Sequence, residues 1–393
     1  MRSRPKRLAS LVLVAATAAV LAACGGNSSS GGSSGGGGNA SGGSNAQGVT
    51  EAKSLVAQAM KPPAFQGPTD KVDLAKAKGK NVYYVSLTEE IPALHEWGVV
   101  LAQQLSAAGV HTQKCDAKGS PNGITSCLQQ ALSAKPDVIV AQALDTKFIA
   151  SYIARAKAAG IKFITAQTGT PGIPPISGDV AEVTFDYPAV GKMLADWFVA
   201  DSGCKAGGPQ IITTTSSRQP SAAEVAGMQT EMKRLCPGLD VPGVQNVLIP
   251  DWPTKLPTVT RSVMTQNPNL QYMLPLYDGM TIYMVPAISG IHRSKPMKVA
   301  SFNATPVVMQ NELAKQSPLS ADVGGPNQWY GVALADQTLR VLSGAKPVAD
   351  EKVPLRLFTR ANIGSIDVKK DESTWYGSVN PICEYHKLWG LSC

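Results

Sequence analysis

Apolar and polar positions alternate most legibly between residues 137 and 169, which read as one complete strand, helix and strand. Val138, Ile139 and Val140 form a short continuous apolar run. Phe148, Ile149, Tyr152, Ile153 and Ala156 then recur at the spacing of one helix face, with Lys147, Arg155 and Lys157 off it. Gly160 ends the helix, and residues 161–165 are again apolar and β-rich. A helix linking two such strands implies a parallel pair with a right-handed crossover. In open sheets of this kind ligands gather beyond the carboxyl ends of the strands, which singles out Gln142, Asp145 and Gln167.

The same alternation extends in both directions. A short helix is predicted over 50–60, with Thr50 as its N-cap and Leu55, Val56 and Ala59 on one side. A strand at 82–86 leads to a helix carrying Leu94, Trp97, Leu101 and Leu105, whose stripe makes Trp97 a core residue. A strand at 110–114 follows, then a helix marked by Ile124, Leu128 and Leu132. A proline and glycine cluster at 169–178 interrupts the pattern. It resumes with a helix face of Met193, Leu194, Trp197 and Phe198, a strand at 210–214, a helix at 222–235 and a strand at 244–249. A helix face of Leu256, Val259, Val263 and Met264, a strand at 270–274, a helix at 280–288 and a strand at 297–302 complete the set. The expected class is α/β, with two similar doubly wound parallel-sheet lobes, and 393 residues suffice for two cores.

The amino terminus lies outside this pattern. Arg2, Arg4, Lys6 and Arg7 precede an apolar run over 8–23 that ends in Leu21-Ala22-Ala23-Cys24. The segment resembles a bacterial lipoprotein signal peptide, which implies cleavage after residue 23 and a lipid on Cys24. Those four basic residues hold half of the net charge of +8, and no basic block follows them, so nucleic acid is not an expected partner. Residues 24–48 are rich in Gly and Ser and form a tether whose mean reach is on the order of 25 Å. Gly31-Gly32-Ser33-Ser34-Gly35 matches a nucleophile-elbow pattern, but it lacks the strand and helix that an elbow requires.

Setting Cys24 aside leaves Cys115, Cys127, Cys204, Cys236, Cys383 and Cys393, an even set in a chain bound for an oxidising compartment. Their pairing is open in principle. Proximity favours Cys115 with Cys127 and Cys383 with Cys393, leaving Cys204 with Cys236. No C-x-x-C or paired-histidine spacing points to a metal, and His95, His111, His292 and His386 are scattered. Neither a phosphate-binding loop nor an H-E-x-x-H motif is present.

From 80 to 362 the order of elements, with the phrases AKAAGIKFITA, YDGMTIYMVPAI and KVASFNATPVVMQNEL, resembles the type I periplasmic solute-binding proteins of the ribose and sugar class that feed ABC importers. The resemblance implies two lobes joined by three hinge crossings, near Glu182, Gly324 and Leu355. The lobes would then be 80–181 with 325–354, and 182–324 with 355–393, preceded by a short helix and connection at 49–79. It also implies ligand contacts from Glu89, Glu90, Asp145 and Gln167 on the first lobe. On the second lobe they would come from Trp252 in PDWPTK, Tyr277 and Asp278 in LYDGM, and Asn303 in SFNAT. Asp145 directly precedes a helix, so an N-cap role stands beside ligand contact. Trp252, flanked by Pro250, Asp251 and Pro253, is expected in a loop, stacked on a ligand. Three positions depart from the family pattern: Glu224 stands where sugar binders carry Arg, Gly325 where a Gln often reads the ligand, and Tyr277 where Asn is usual.

The expected function is that of a lipid-anchored protein on the extracytoplasmic face of a bacterial cell membrane. It would act as a monomer without cofactor or metal, capturing a small polar solute, a sugar or polyol, for an ABC permease and its ATPase. A ligand sensor of the same fold signalling to a membrane receptor is the alternative within the fold. A lipid-anchored hydrolase using Glu89 and Asp145 is the alternative outside it.

Overall fold

The computed structural model describes residues 40–393 apart from 170, 172–177, 179, 242 and 316. The expected signal peptide, Cys24 and the tether up to residue 39 lie outside the described residues. Strands β1 (Asn81–Ser86), β2 (His111–Asp116), β3 (Val138–Gln142), β4 (Lys162–Ala166) and β5 (Ala181–Val183) form one parallel sheet in the order β2-β1-β3-β4-β5. Strands β6 (Gln210–Thr213), β7 (Gln245–Asn246), β8 (Tyr272–Pro275), β9 (Lys298–Asn303), β10 (Leu319–Gly324) and β11 (Arg356–Thr359) form the second, in the order β11-β10-β9-β8-β6-β7. Read from β7 to β10 the second sheet repeats the order of the first, and only β11 runs antiparallel. The central strands are buried along their length, as strands covered by helices on both faces must be.

The helices are α1 (Ala40–Ala59), α2 (Pro92–Ala107), α3 (Pro121–Ala134), α4 (Thr146–Ala158), α5 (Tyr187–Ser202) and α6 (Arg218–Leu235). They continue as α7 (Trp252–Gln266), α8 (Asp278–Ser289), α9 (Pro306–Asn311), α10 (Asn327–Ser343) and α11 (Pro381–Trp389). None of the described helices is long and apolar enough to cross a membrane. The chain leaves the first sheet after β5 and enters α5, which packs on α6 and α1. It returns after β10 into α10, which packs on α2 and β5, and crosses again to reach β11. α10 is buried on almost every side, so it carries no amphipathic stripe to read in the sequence.

Several local expectations change. The first helix begins at Ala40, inside the expected tether, because its packing on α5 and α6 supplies what a Gly- and Ser-rich segment lacks on its own. Thr50 is therefore mid-helix, and its hydroxyl donates to the carbonyl of Ala46. Phe148 is exposed, while Ile149, Ile153 and Ala156 form the buried face of α4. The strand expected at 244–249 shrinks to Gln245–Asn246, since the chain turns at Ile249–Asp251 and enters α7 directly. The tail expected with the second lobe crosses back: α11 packs on α10, where Trp389 Nε1 donates to Asp336 and Tyr385 to Glu351.

Disulfides join Cys115 of β2 to Cys127 of α3, and Cys204 to Cys236 at the ends of α5 and α6. Cys383 and Cys393 differ from the expected third bridge, being free thiols. Gly390, with φ +70°, turns the end of the chain back on α11, and the nearby Cys393 raises the pKa of Cys383.

Candidate functional site

The two sheets point their carboxyl ends toward one another, and the residues just past those ends line a cavity between the lobes. Leu87 follows β1, Ala143 follows β3 and Gln167 follows β4 on the first lobe. Ser217 lies past β6, Ile249 past β7 and Tyr277 past β8 on the second, and Asn303 ends β9. Ile91, Leu94 and Trp97 from the start of α2, with Tyr187 from the start of α5, complete the walls. The free volume of the cavity is only about 30 Å³, and none of its lining residues is charged.

Three of these residues hold backbone conformations that L-residues seldom adopt: Ala143 at φ +58°, Gln167 at φ +61° and Asn303 at φ +132°. Each such position costs on the order of 1–3 kcal/mol, and strain of this kind collects where side chains must be aimed. Here it aims two amides. The amide oxygen and nitrogen of Gln167 are buried without a well-formed hydrogen bond, and so is Oδ1 of Asn303. A buried amide in that condition is poised for a ligand group.

The aromatic walls are fixed from behind. Trp97 Nε1 donates to Asn327 Oδ1 at 2.8 Å, and its ring packs against Tyr330 and Phe185. The Tyr277 hydroxyl lies 3.2 Å from Ser221 Oγ, and burial pushes its pKa up. Glu224 is fully buried in α6 with neither carboxylate oxygen paired, so burial drives its pKa well up and favours the neutral acid.

Of the expected contacts, Gln167, Tyr277 and Asn303 come together around this cavity, and the others do not line it. Glu89 has Oε2 held by Lys114 at 3.1 Å and His95 at 3.0 Å, while its Oε1 is buried without a well-formed partner. Glu90 is exposed. Asp145 caps α4 by accepting from the Lys147 amide, and its other oxygen meets Arg218 Nε of the opposite lobe at 3.3 Å. With the contact between Gln219 and Thr146 beside it, this pair latches the lobes at the rim of the cleft. Asp278 is fully buried and accepts from both the amide and the hydroxyl of Thr305 at 2.6 Å. Burial pushes its pKa up to about 6 against the pull of those donors, which tie α8 to the loop after β9 through Oδ2, while Oδ1 is buried without a well-formed partner.

Trp252 is the largest departure. It opens α7 instead of lying in a loop, with Pro253 in the first helical turn, where the missing amide proton is harmless. The side chain is 3 % exposed, and its Nε1 donates to the Val247 carbonyl at 3.1 Å. The ring edge lies against Gly279, where a Cβ would sit 3.3 Å from it and 3.8 Å from the cavity-lining Ile91, and the indole itself does not line the cavity.

Trp97, read as core, is a wall of the cavity as well as part of a helix stripe. Tyr187, Ser217 and Ile249 were not anticipated. The usable signal was positional, because each follows the end of a strand or of a crossing.

The family profile described as the periplasmic binding protein domain matches residues 82–346. No curated protein matches the chain. Among solved structures, an ABC transporter solute-binding protein from Agrobacterium vitis with bound allitol superposes with a TM-score of 0.67 at 21 % identity, covering 75 % of this chain and 100 % of its own. A 5-methylthioribose transporter solute-binding protein from Thermotoga lettingae, in complex with 5-methylthioribose, gives 0.69 at 16 % identity, with coverage of 81 % and 99 %. A solute-binding protein from Bacillus halodurans with bound myo-inositol gives 0.65 at 14 % identity, with coverage of 75 % and 99 %.

Proposed function

The chain belongs to the type I periplasmic binding protein family, and from that premise we propose that it captures a small solute of the sugar or polyol class between its lobes and delivers it to an ABC importer. The observation that carries the reading is the amide of Gln167 and Oδ1 of Asn303, both buried without a well-formed partner and set at one interlobe cavity from opposite lobes on strained backbone. A ligand that pairs with both bridges the lobes and favours the closed form by its differential affinity for it. Asp145 and Arg218 add a contact that exists only when the lobes meet.

A thermal-shift screen of sugars, polyols, amino acids and nucleosides tests the reading, because a ligand that binds only the folded state raises the melting temperature. For the solute found, Gln167→Ala and Asn303→Ala are each expected to weaken affinity by about ten- to a hundredfold, about 1.4 to 2.8 kcal/mol. Unchanged affinity in both variants would remove the cavity from the reading.

The lipoprotein pattern around Cys24 supports attachment to the outer face of the cell membrane through that residue. Metabolic labelling with a lipid analogue should mark the wild-type chain and not Cys24→Ser. Equal labelling of both excludes the anchor.

A further inference from the structure

Capture of a solute of the sugar or polyol class, on which this step rests, leaves the substituents of that solute open, and the cavity wall narrows them. We infer that the preferred solute is uncharged and carries a hydrocarbon, thioether or aromatic part as prominent as its hydrogen-bonding part, so that a fully hydroxylated sugar or polyol is not the best ligand.

The first ground is the balance of the wall. Leu87, Ile91 and Leu94 face the cavity from one lobe and Ile249 from the other, with the Trp97 and Tyr187 rings beside them. A polyol enclosed here would turn several hydroxyls toward groups that neither donate nor accept, and each desolvated hydroxyl left unpaired opposes binding. An alkyl, thioether or aryl group gains by the same burial.

The second ground is the supply of polar partners. The buried groups without a well-formed partner at the cavity are the amide of Gln167 and Oδ1 of Asn303, and with the hydroxyls of Tyr187, Ser217 and Tyr277 they offer donor and acceptor capacity for a small polar head. Two neighbouring positions, Gly325 and Glu224, add no polar reader to the wall. At Gly325 a Cβ would lie 2.7 Å from the Phe185 ring, so no side chain can enter there, and Phe185 itself packs on Trp97, Tyr330 and Phe302. Glu224, on α6, is buried, favours the neutral acid, and is not part of the wall. Nothing at the cavity therefore offers a full charge to an ionic solute.

The test is calorimetric titration of the full chain with matched pairs: 5-methylthioribose against ribose, phenyl β-glucoside against glucose, and a neutral nucleoside against myo-inositol. At least one apolar-bearing member is expected to bind tenfold or more tighter than its hydroxylated partner, and Ile91→Ser should reduce that preference. Tighter or equal binding of the hydroxylated members overturns the inference and leaves solute capture standing. Absence of binding by every probe, together with a blank thermal-shift screen, overturns both.

Discussion

Truncating Trp252 to alanine is expected to lower folding stability by about 3 to 5 kcal/mol, the range for emptying a large aromatic site in a core. Solute affinity of the folded fraction should stay within about threefold, under 1 kcal/mol. The indole is enclosed by α7 and α8, and its Nε1 satisfies the Val247 carbonyl, which the truncation would leave without a donor. Urea denaturation beside calorimetry separates the two quantities. A stability change below about 1 kcal/mol with a tenfold loss of affinity would return Trp252 to the ligand.

Asp336→Ala is expected to be as costly, by about 3 to 5 kcal/mol, for a different reason. Asp336 is fully buried in α10 and pairs with Arg340 Nε at 2.5 Å, and Arg340 is only 2 % exposed. Asp336 also accepts from Trp389 Nε1 at 2.7 Å, and beside it Glu351, pushed well up by burial, takes the Tyr385 hydroxyl at 2.9 Å. Arg340 in turn donates to the carbonyl of Asp70. Removing the carboxylate strands a guanidinium in the core and frees both α11 and the segment that precedes β1. Asp336→Ala with Arg340→Met should recover much of the loss, because an apolar replacement leaves no charge to solvate. A double-mutant cycle by urea denaturation measures this. If the double variant is no better than the single one, the buried charge is not the source of the cost.

The sequence by itself determined the elements whose cause is local. The apolar run of β3, the stripe of Ile149, Ile153 and Ala156 on α4, and the same alternation repeated after residue 180 are properties of neighbouring residues. Two lobes of one topology could therefore be read before any coordinate. The placement of Gln167 was legible for the same reason, since the end of a parallel strand is a local feature, whereas Asn303 was reached only through the family resemblance. Which polar and aromatic groups are paired inside the fold was set by contacts between distant residues. One oxygen of Glu89 is held by Lys114 and His95, one of Asp278 by Thr305 and one of Asp145 by Arg218, while Trp252 is closed in by Gly279, each partner coming from another turn, strand or lobe. A carboxylate or an indole has the same chemistry in the sequence whether it is paired or free. Its availability depends on desolvation and on hydrogen bonds from distant residues, and folding sets both at once.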